Sequence, residues 1–392
     1  MKKFTLLIDG NNFIFRCMWG EFKRTKKSIL SSDYDVDKFI KKMIIEFSSL
    51  IDEFKPICND VIFIQDSKSW RKTLLLQHEY KGNRAADRAL IDFNGLQKST
   101  DAFIEVLRKT NVKVSVLDQC EGDDLIFGWS NYLMDKKISS LIHSTDNDLS
   151  QLLSANKDTH VIQYSLAKKS FFVCKETKEY IEKKNPHNDE NLFGELMNVV
   201  DIQNEDKIKD YIKEVGMTVI DTEDVRFKKI VTGDKSDNIF PVYYKPAEDG
   251  GKSKGIGDKT CDKIKEEFKT RIGDSDFNYK VFNNDESIKV LCETIYDVMG
   301  INDKQFTKRM LAENIKTNFK LVTLSSDSIP KNIQESMSHH IADVEKTPFV
   351  ALSKLNKTEL FKNSKFKVYN VSSSSKIFKG VEDDGDMSFI NG

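Results

Sequence analysis

Thr5-Leu6-Leu7-Ile8-Asp9-Gly10-Asn11-Asn12 decides the fold. A short apolar run that stops at an acid and a glycine has the pattern of a buried parallel strand ending in a polar turn. Three further runs repeat it: Val61-Ile62-Phe63-Ile64 before Asp66, Val112-Lys113-Val114-Ser115-Val116 before the Glu121 cluster, and Leu141-Ile142 before Asp146. Between them lie helical spacings such as Phe39, Met43, Ile44, Phe47 and Leu50-Ile51. Alternating strand and helix predict an α/β domain over residues 1–165 with a mainly parallel central sheet. Such sheets bind ligands outside the carboxyl ends of their strands, and these strands deliver acid there.

The chain of 392 residues has a net charge of −1, 31% charged and 39% hydrophobic residues, which excludes a disordered or fibrous protein. No apolar run reaches the roughly 18 residues of a membrane helix. Met1-Lys2-Lys3 leads directly into the first strand, so neither export nor a signal peptide is expected, and the expected location is the cytoplasm. The six cysteines (17, 58, 120, 174, 261 and 292) are scattered without zinc spacing, as reduced thiols would be. Beyond the first domain, residues 166–225 are Lys- and Glu-rich and read as an insertion with some helix, broken at Asn185-Pro186. Residues 226–330 read as a second unit with Gly-rich turns. Residues 331–392 form a C-terminal region with Ser372-Ser373-Ser374-Ser375 as spacer and an acidic tail.

Acids recur in five signatures: Asp9-Gly10-Asn11, Gln65-Asp66-Ser67, Glu121-Gly122-Asp123-Asp124, Thr145-Asp146-Asn147-Asp148 and Gly233-Asp234-Lys235-Ser236-Asp237-Asn238. Any one alone reads as a turn or cap. Gathered at one sheet edge, nine carboxylates would raise one another's pKa and resist burial without a counter-charge. Hard oxygen donors with no nearby His or Cys point to Mg²⁺, with Mn²⁺ as a substitute, and nine exceed what one ion can use, so two metal positions are expected. Phosphoryl chemistry is the matching reaction class. No Ser-His-Asp or Cys-His arrangement suggests itself.

These motifs, with Asp66-Ser-Lys-Ser-Trp-Arg71, Tyr80-Lys-Gly-Asn-Arg84 and Gly255-Ile-Gly-Asp-Lys-Thr260, stand in the order of the flap endonuclease / 5′-to-3′ exonuclease superfamily, which the chain resembles from Leu6 to about Phe268. Asn318 to Ile333 is similar to the T-even phage type of ribonuclease H. The resemblance implies a PIN-like 5′-nuclease domain with an arch at about 71–100. It also implies a mostly helical domain carrying a helix-hairpin-helix-like DNA-binding turn. Asp9, Asp66, Glu121, Asp123, Asp124 and Asp146 would surround one metal, and Asp146, Asp148, Asp234 and Asp237 the other. Lys81 and Arg84 would face the scissile phosphate, with Asp146 shared between the ions. Such a phage enzyme removes RNA primers or 5′ flaps, acting 5′ to 3′, as a monomer beside a single-stranded-DNA-binding protein and a sliding clamp. The stretches 166–225 and 240–251 depart from the family's spacing.

Residue chemistry adds a nucleic-acid interface. Gly255 and Gly257 would let backbone N–H groups approach a phosphate at a helix N-terminus, helped by Lys259 and Thr260, and the resemblance adds K⁺ on the turn. Tyr80, Lys81 and Arg84 combine a stacking ring with cations, with Arg71 upstream. The rival readings are a non-cleaving flap- or junction-binding protein, which would lose acids, and a small PIN-type ribonuclease, which would lack the 255–260 turn.

Overall fold

β1 (Phe4–Asp9) occupies the middle of the sheet and is buried along almost its whole length. The computed structural model describes residues 4–25, 35–74, 80–82, 92–157, 159–184, 216–246, 254–273, 277–302 and 306–365. β1 pairs in parallel with β2 (Cys58–Ile64) on one side and β4 (Ser140–His143) on the other. β3 (Lys113–Ser115) extends β2, and β6 (Thr159–Ser165) extends β4, both parallel. β5 (Ser154–Asn156) and β7 (Ser170–Cys174) join β6 antiparallel, and β8 (Gly216–Ile220) runs parallel to β7. The order β3-β2-β1-β4-β6-β7-β8 is therefore mainly parallel, as the alternation predicts.

The chain leaves β1 towards β2 and later returns on β1's other side as β4, so the switch point of the sheet lies at the carboxyl end of β1. Side-chain alternation buries both faces. Leu6 and Ile8 pack under α1 (Gly10–Thr25), α2 (Val36–Phe54) and α3 (Phe93–Lys109), around Phe13, Phe47, Phe63 and Phe103. Phe13 stacks on Phe103 with ring centroids 5.8 Å apart. Leu7 faces the other way, onto Leu125, Ile126 and Trp129 of α4 (Gly122–Asp135). α2 starts where Asp35 accepts a bond from Lys38 N at 3.0 Å, and α3 where Asp92 does so from Gly95 N at 3.0 Å.

Two boundaries of the sequence reading fall inside packed structure. The segment set apart from 166 turns at once into β7, then α5 (Lys175–Lys184), and resumes at β8, so both ends of 166–225 belong to the sheet. Likewise α10 (Lys331–Val344) puts Ile333, Met337 and Ile341 against Trp129, while Leu360 and Phe361 of α11 (Lys357–Lys362) join the core under α1–α3. Apolar patterning too weak to name a partner in sequence thus covers both faces of the first unit. The Asn185-Pro186 break, the serine spacer and the acidic tail lie outside the described residues.

The second unit consists of α6 (Thr222–Thr232), α7 (Asp258–Ile272), α8 (Asp285–Met299) and α9 (Lys308–Val322), packed on Phe227, Ile230, Phe268, Ile295, Leu311 and Phe319. A short ribbon of β9 (Tyr244–Lys245) and β10 (Lys254–Gly255) precedes α7. Asn318 of α9 donates to the carbonyls of Ile230 and Phe240, both at 2.9 Å, tying the helices to the loop after α6. Among the described residues no helix is long and apolar enough to cross a membrane.

α6 stops at Gly233, whose φ of 70° and closeness to Ile239 and Phe240 backbone leave no room for a Cβ. The loop it starts carries Asp234 and Asp237. Gly233→Ala should therefore destabilise the fold by at least about 1–3 kcal/mol; an unchanged urea midpoint would show that the loop can re-form without the left-handed residue.

Candidate active site

Asp9 ends β1, and its carboxylate accepts from Asn12 N at 3.0 Å and from Ser144 Oγ at 2.7 Å. Asp66 follows β2. Asn11 Nδ2 and Gly122 N both donate to it, and the absence of a side chain at Gly122 is what lets this carboxylate approach the start of α4. Asp123 sits in the first turn of α4, where the helix dipole favours an anion. Asp146 and Asp148 lie on the turn after β4. Ser144 Oγ accepts from Asp146 N at 3.0 Å, and Asp146 Oδ1 accepts from Asp148 N at 2.7 Å. Four segments far apart in sequence therefore bring acid to the switch point.

Their charges are felt there. Burial, then Asp66 and Asp146, push the Asp9 carboxyl up to about 7, against the bonds from Asn12 and Ser144. Burial, then Asp146, Asp9 and Asp66, hold Asp123 well above the usual carboxylate range. Burial also raises Asp146. Asp148 is pushed up to about 7 by burial and Asp146, although Lys229 pulls it down.

The remaining acids are met by the chain's own cations. Arg71, expected to touch nucleic acid, is instead buried at 2% exposure. Its Nη1 and Nη2 grip the Asp124 carboxylate, each at 2.8 Å, Nη1 also reaches Glu121 at 2.7 Å, and Nε donates to the Leu321 carbonyl at 2.9 Å. Trp70 Nε1 adds a bond to Asp124 at 2.9 Å. Asp124, expected among the metal-holding acids, is thus fully buried with both oxygens engaged, because a buried guanidinium needs a bidentate partner. Burial alone would raise Glu121, but Lys81 and Arg71 hold it down to about 2.

Tyr80 is also not the exposed stacking ring of the sequence reading. It is buried among the second unit's core residues, and its hydroxyl donates to Asp237 at 3.1 Å. Lys81 beside it has a φ of 59°, donates its backbone N–H to the Asp237 carbonyl at 2.8 Å, and places its ammonium 2.5 Å from Glu121. Arg84 and most of the 71–100 arch lie outside the described residues. Asp234 opens the loop after α6, with one oxygen accepting from Ser236 N at 2.9 Å and the other 2.5 Å from the Lys229 ammonium. Lys229 also pairs with Asp148. A narrow cleft is lined by Glu121, Asp123, Asp148, Asp234 and Asp237.

At the other candidate interface, Gly255 pairs with Tyr244 in the ribbon and Gly257 is the N-cap of α7. Gly255, Gly257 and Lys259 are exposed and Thr260 half-buried, on the second unit's surface. Sequence reasoning did not single out Ser144, Gln163 and Lys229. Gln163, fully buried on β6, donates to the carbonyls of Ser144 and Asp146 and so fixes the turn that carries Asp146 and Asp148. Ser144 lies two residues before Asp146, a spacing open to inspection; the other two are found only by folding.

As they stand, no three acidic, His or Cys side chains among the described residues are set to hold one metal ion. Their oxygens are instead occupied by amides, a hydroxyl and ammonium groups. The donor chemistry nevertheless fits a hard divalent cation: oxygen-only groups, buried together, three of them raised in part by their neighbours.

Residues 4–185 match the family described as the 5′-3′ exonuclease N-terminal resolvase-like domain. This match agrees with the superfamily resemblance read from the motifs over the same stretch, and the mainly parallel sheet bears out the α/β class. Over 160 residues, 40% of its length, the chain is 26% identical to a 5′-3′ exonuclease of Buchnera aphidicola subsp. Baizongia pistaciae (strain Bp). The chain spans 47% of the length of that relative, about half. Two solved bacteriophage T5 structures also align, each over 88% of this chain and 98% of the other. One is a 5′-exonuclease with zinc bound, at 20% identity and a TM-score of 0.48. The other is a flap endonuclease in a pseudo-enzyme-product complex with DNA and metal ions, at 19% and 0.49.

Two outcomes follow from the electrostatics. In the metal-free chain Asp9 and Asp148 hold protons up to about 7 when folded, against an ordinary value of 3.8. The folded state then binds more protons than the unfolded one between about pH 4 and pH 7, so stability falls as pH rises through that window. Melting in EDTA should show Tm declining across it, with a shallower decline in Asp123→Asn; a rising Tm would contradict the cluster. Arg71→Met, which strands two buried carboxylates, should cost about 3–5 kcal/mol in chemical unfolding, and a loss below about 1 kcal/mol would make the clamp incidental.

Proposed function

We propose that the chain is a metal-dependent 5′ nuclease. In this reading it is a 5′-to-3′ exonuclease and flap endonuclease with ribonuclease H activity, phage-encoded, clearing RNA primers or 5′ flaps from duplexes during DNA replication. The observation that carries the reading is the convergence of Asp9, Asp66, Asp123 and Asp146 at the sheet's switch point, where burial and neighbouring carboxylates lift Asp9, Asp123 and Asp146. Carboxylates forced together in this way call for a cation of higher charge than a side chain supplies.

Asp9, Asp66, Asp123 and Asp146 would hold one Mg²⁺ or Mn²⁺. Asp146, Asp148, Asp234 and Asp237 would hold a second, some oxygens acting through water. Bound there, such ions supply a lowered pKa for a coordinated water and positive charge for the phosphate. The chain's own part is positional. Gln163 and Ser144 fix the turn bearing Asp146 and Asp148, and Asn12 and Ser144 orient Asp9. Lys81, at the cleft through Glu121, would carry its ammonium to the scissile phosphate, with Arg84 beside it, stabilising charge in the transition state. Glu121 and Asp124 serve as partners of Lys81 and Arg71 in this scheme rather than as ligands.

The exposed turn at Gly255-Ile256-Gly257 and the α7 N-terminus, with Lys259 and Thr260, would hold duplex phosphates in the manner of a helix-hairpin-helix, with K⁺ on the turn. An added Cβ at Gly257 would meet nothing within 4 Å, which leaves the backbone open to a phosphate. A single-stranded-DNA-binding protein and a sliding clamp are the partners of a monomer with this task.

A 5′-labelled flap duplex incubated with and without Mg²⁺ tests the reading, with short 5′ products expected only when the ion is present. Asp146→Asn should lose at least about a hundredfold in rate while still retarding the duplex in Ca²⁺. A flap bound but left whole by the wild-type chain in Mg²⁺ would return the chain to the non-cleaving reading. Lys81→Ala should slow single-turnover cleavage far more than it weakens binding, and an unaltered rate would remove Lys81 from the chemistry.

A further inference from the structure

Lys229 stands where a cation is needed. It lies in the last turns of α6, where the helix dipole favours positive charge. Its ammonium pairs with Asp148 and, at 2.5 Å, with Asp234. These two acids come from different units of the fold, the turn after β4 and the loop after α6. Phe227, Ile230 and Val231 anchor α6 in the core, so the Lys229 backbone is fixed while its four-carbon stem can move. The side chain is 23% exposed, which leaves it a path to solvent.

Resting on the nuclease reading above, we propose that Lys229 is a built-in counter-ion of the second metal position. Its ammonium occupies the place between Asp148 and Asp234 that a divalent ion takes, and the ion enters only by displacing it. Around Asp9 and Asp66 the donors are the Asn12 and Gly122 N–H groups, the Ser144 hydroxyl and the Asn11 amide, and the ammonium that acts on Asp123, that of Lys81, is itself paired with Glu121. The two positions therefore differ in affinity, and the difference is set by a side chain that ligates nothing. Displacement subtracts the lysine's two ion pairs from the free energy of ion binding at that position, while in the metal-free chain they offset part of the negative charge between its two units. Lys229 is a positioning residue in this scheme, acting on the ion through Asp148 and Asp234.

The test uses the full metal-stripped chain without nucleic acid, titrated with Mn²⁺ and followed by the electron paramagnetic resonance signal of the free ion. Wild type should take up two ions, one tight and one weak. Lys229→Met should tighten the weak one about tenfold and lower the Tm of the metal-free chain. Lys229→Arg, whose planar fork grips two carboxylates more firmly, should weaken it. Two ions bound by wild type with the weak affinity unchanged or reduced in Lys229→Met would overturn the proposal. Should Lys229→Met not fold without ions, Lys229→Arg decides: uptake as tight as wild type or tighter overturns it. Wild type that binds no Mn²⁺ at all would sink the nuclease reading itself, and this proposal with it.

Discussion

Repulsion among carboxylates buried at one end of a parallel sheet is the constraint on which the site depends. β1, β2 and the turns after β4 and before α4 each end in acid, and the sheet's order makes those ends neighbours. A protein can bury such a group only by keeping protons on it, by pairing it with cations, or by admitting an ion. This chain divides its acids between the first two solutions as it stands. Asp9 and Asp148 shift to about 7, while Asp124, Glu121 and Asp234 are paired with Arg71, Lys81 and Lys229.

Those pairings also join the two units. Arg71 connects α4 to the Leu321 carbonyl at the end of α9, and Gln151 meets the same end of α9 through the Val322 carbonyl and Leu324 N. Lys229 bridges the turn after β4 to the loop after α6. The acids are thus part of the interface between the units as well as the floor of the cleft. Substituting one of them is therefore a structural change as well as a chemical one, which is why binding or unfolding has to be measured beside activity.

Sequence spacing correctly marked which strands end in acid, since a buried strand of alternating or continuous apolar residues is a local pattern and its last residue is fixed by that pattern. It misjudged where two prominent residues lie. Arg71 and Tyr80 follow a motif of basic and aromatic residues that suits a nucleic-acid surface, yet both are buried, because Asp124, Glu121 and Asp237 offer them partners supplied by other parts of the chain. It also broke the first unit too early at 165, since the Lys- and Glu-rich composition of the next stretch masks the strands β7 and β8 at its two ends.

By itself, then, the sequence determined the α/β alternation, the acidic strand ends and the oxygen-only donor chemistry, all of which are written in neighbouring residues. Tertiary structure alone decided which acids face one another and which are given to Arg71, Lys81 or Lys229. Pairing is a matter of distance between segments that lie from 5 residues apart, as for Lys229 and Asp234, to 250 apart, as for Arg71 and Leu321. No local pattern encodes those distances; strand order and helix packing do.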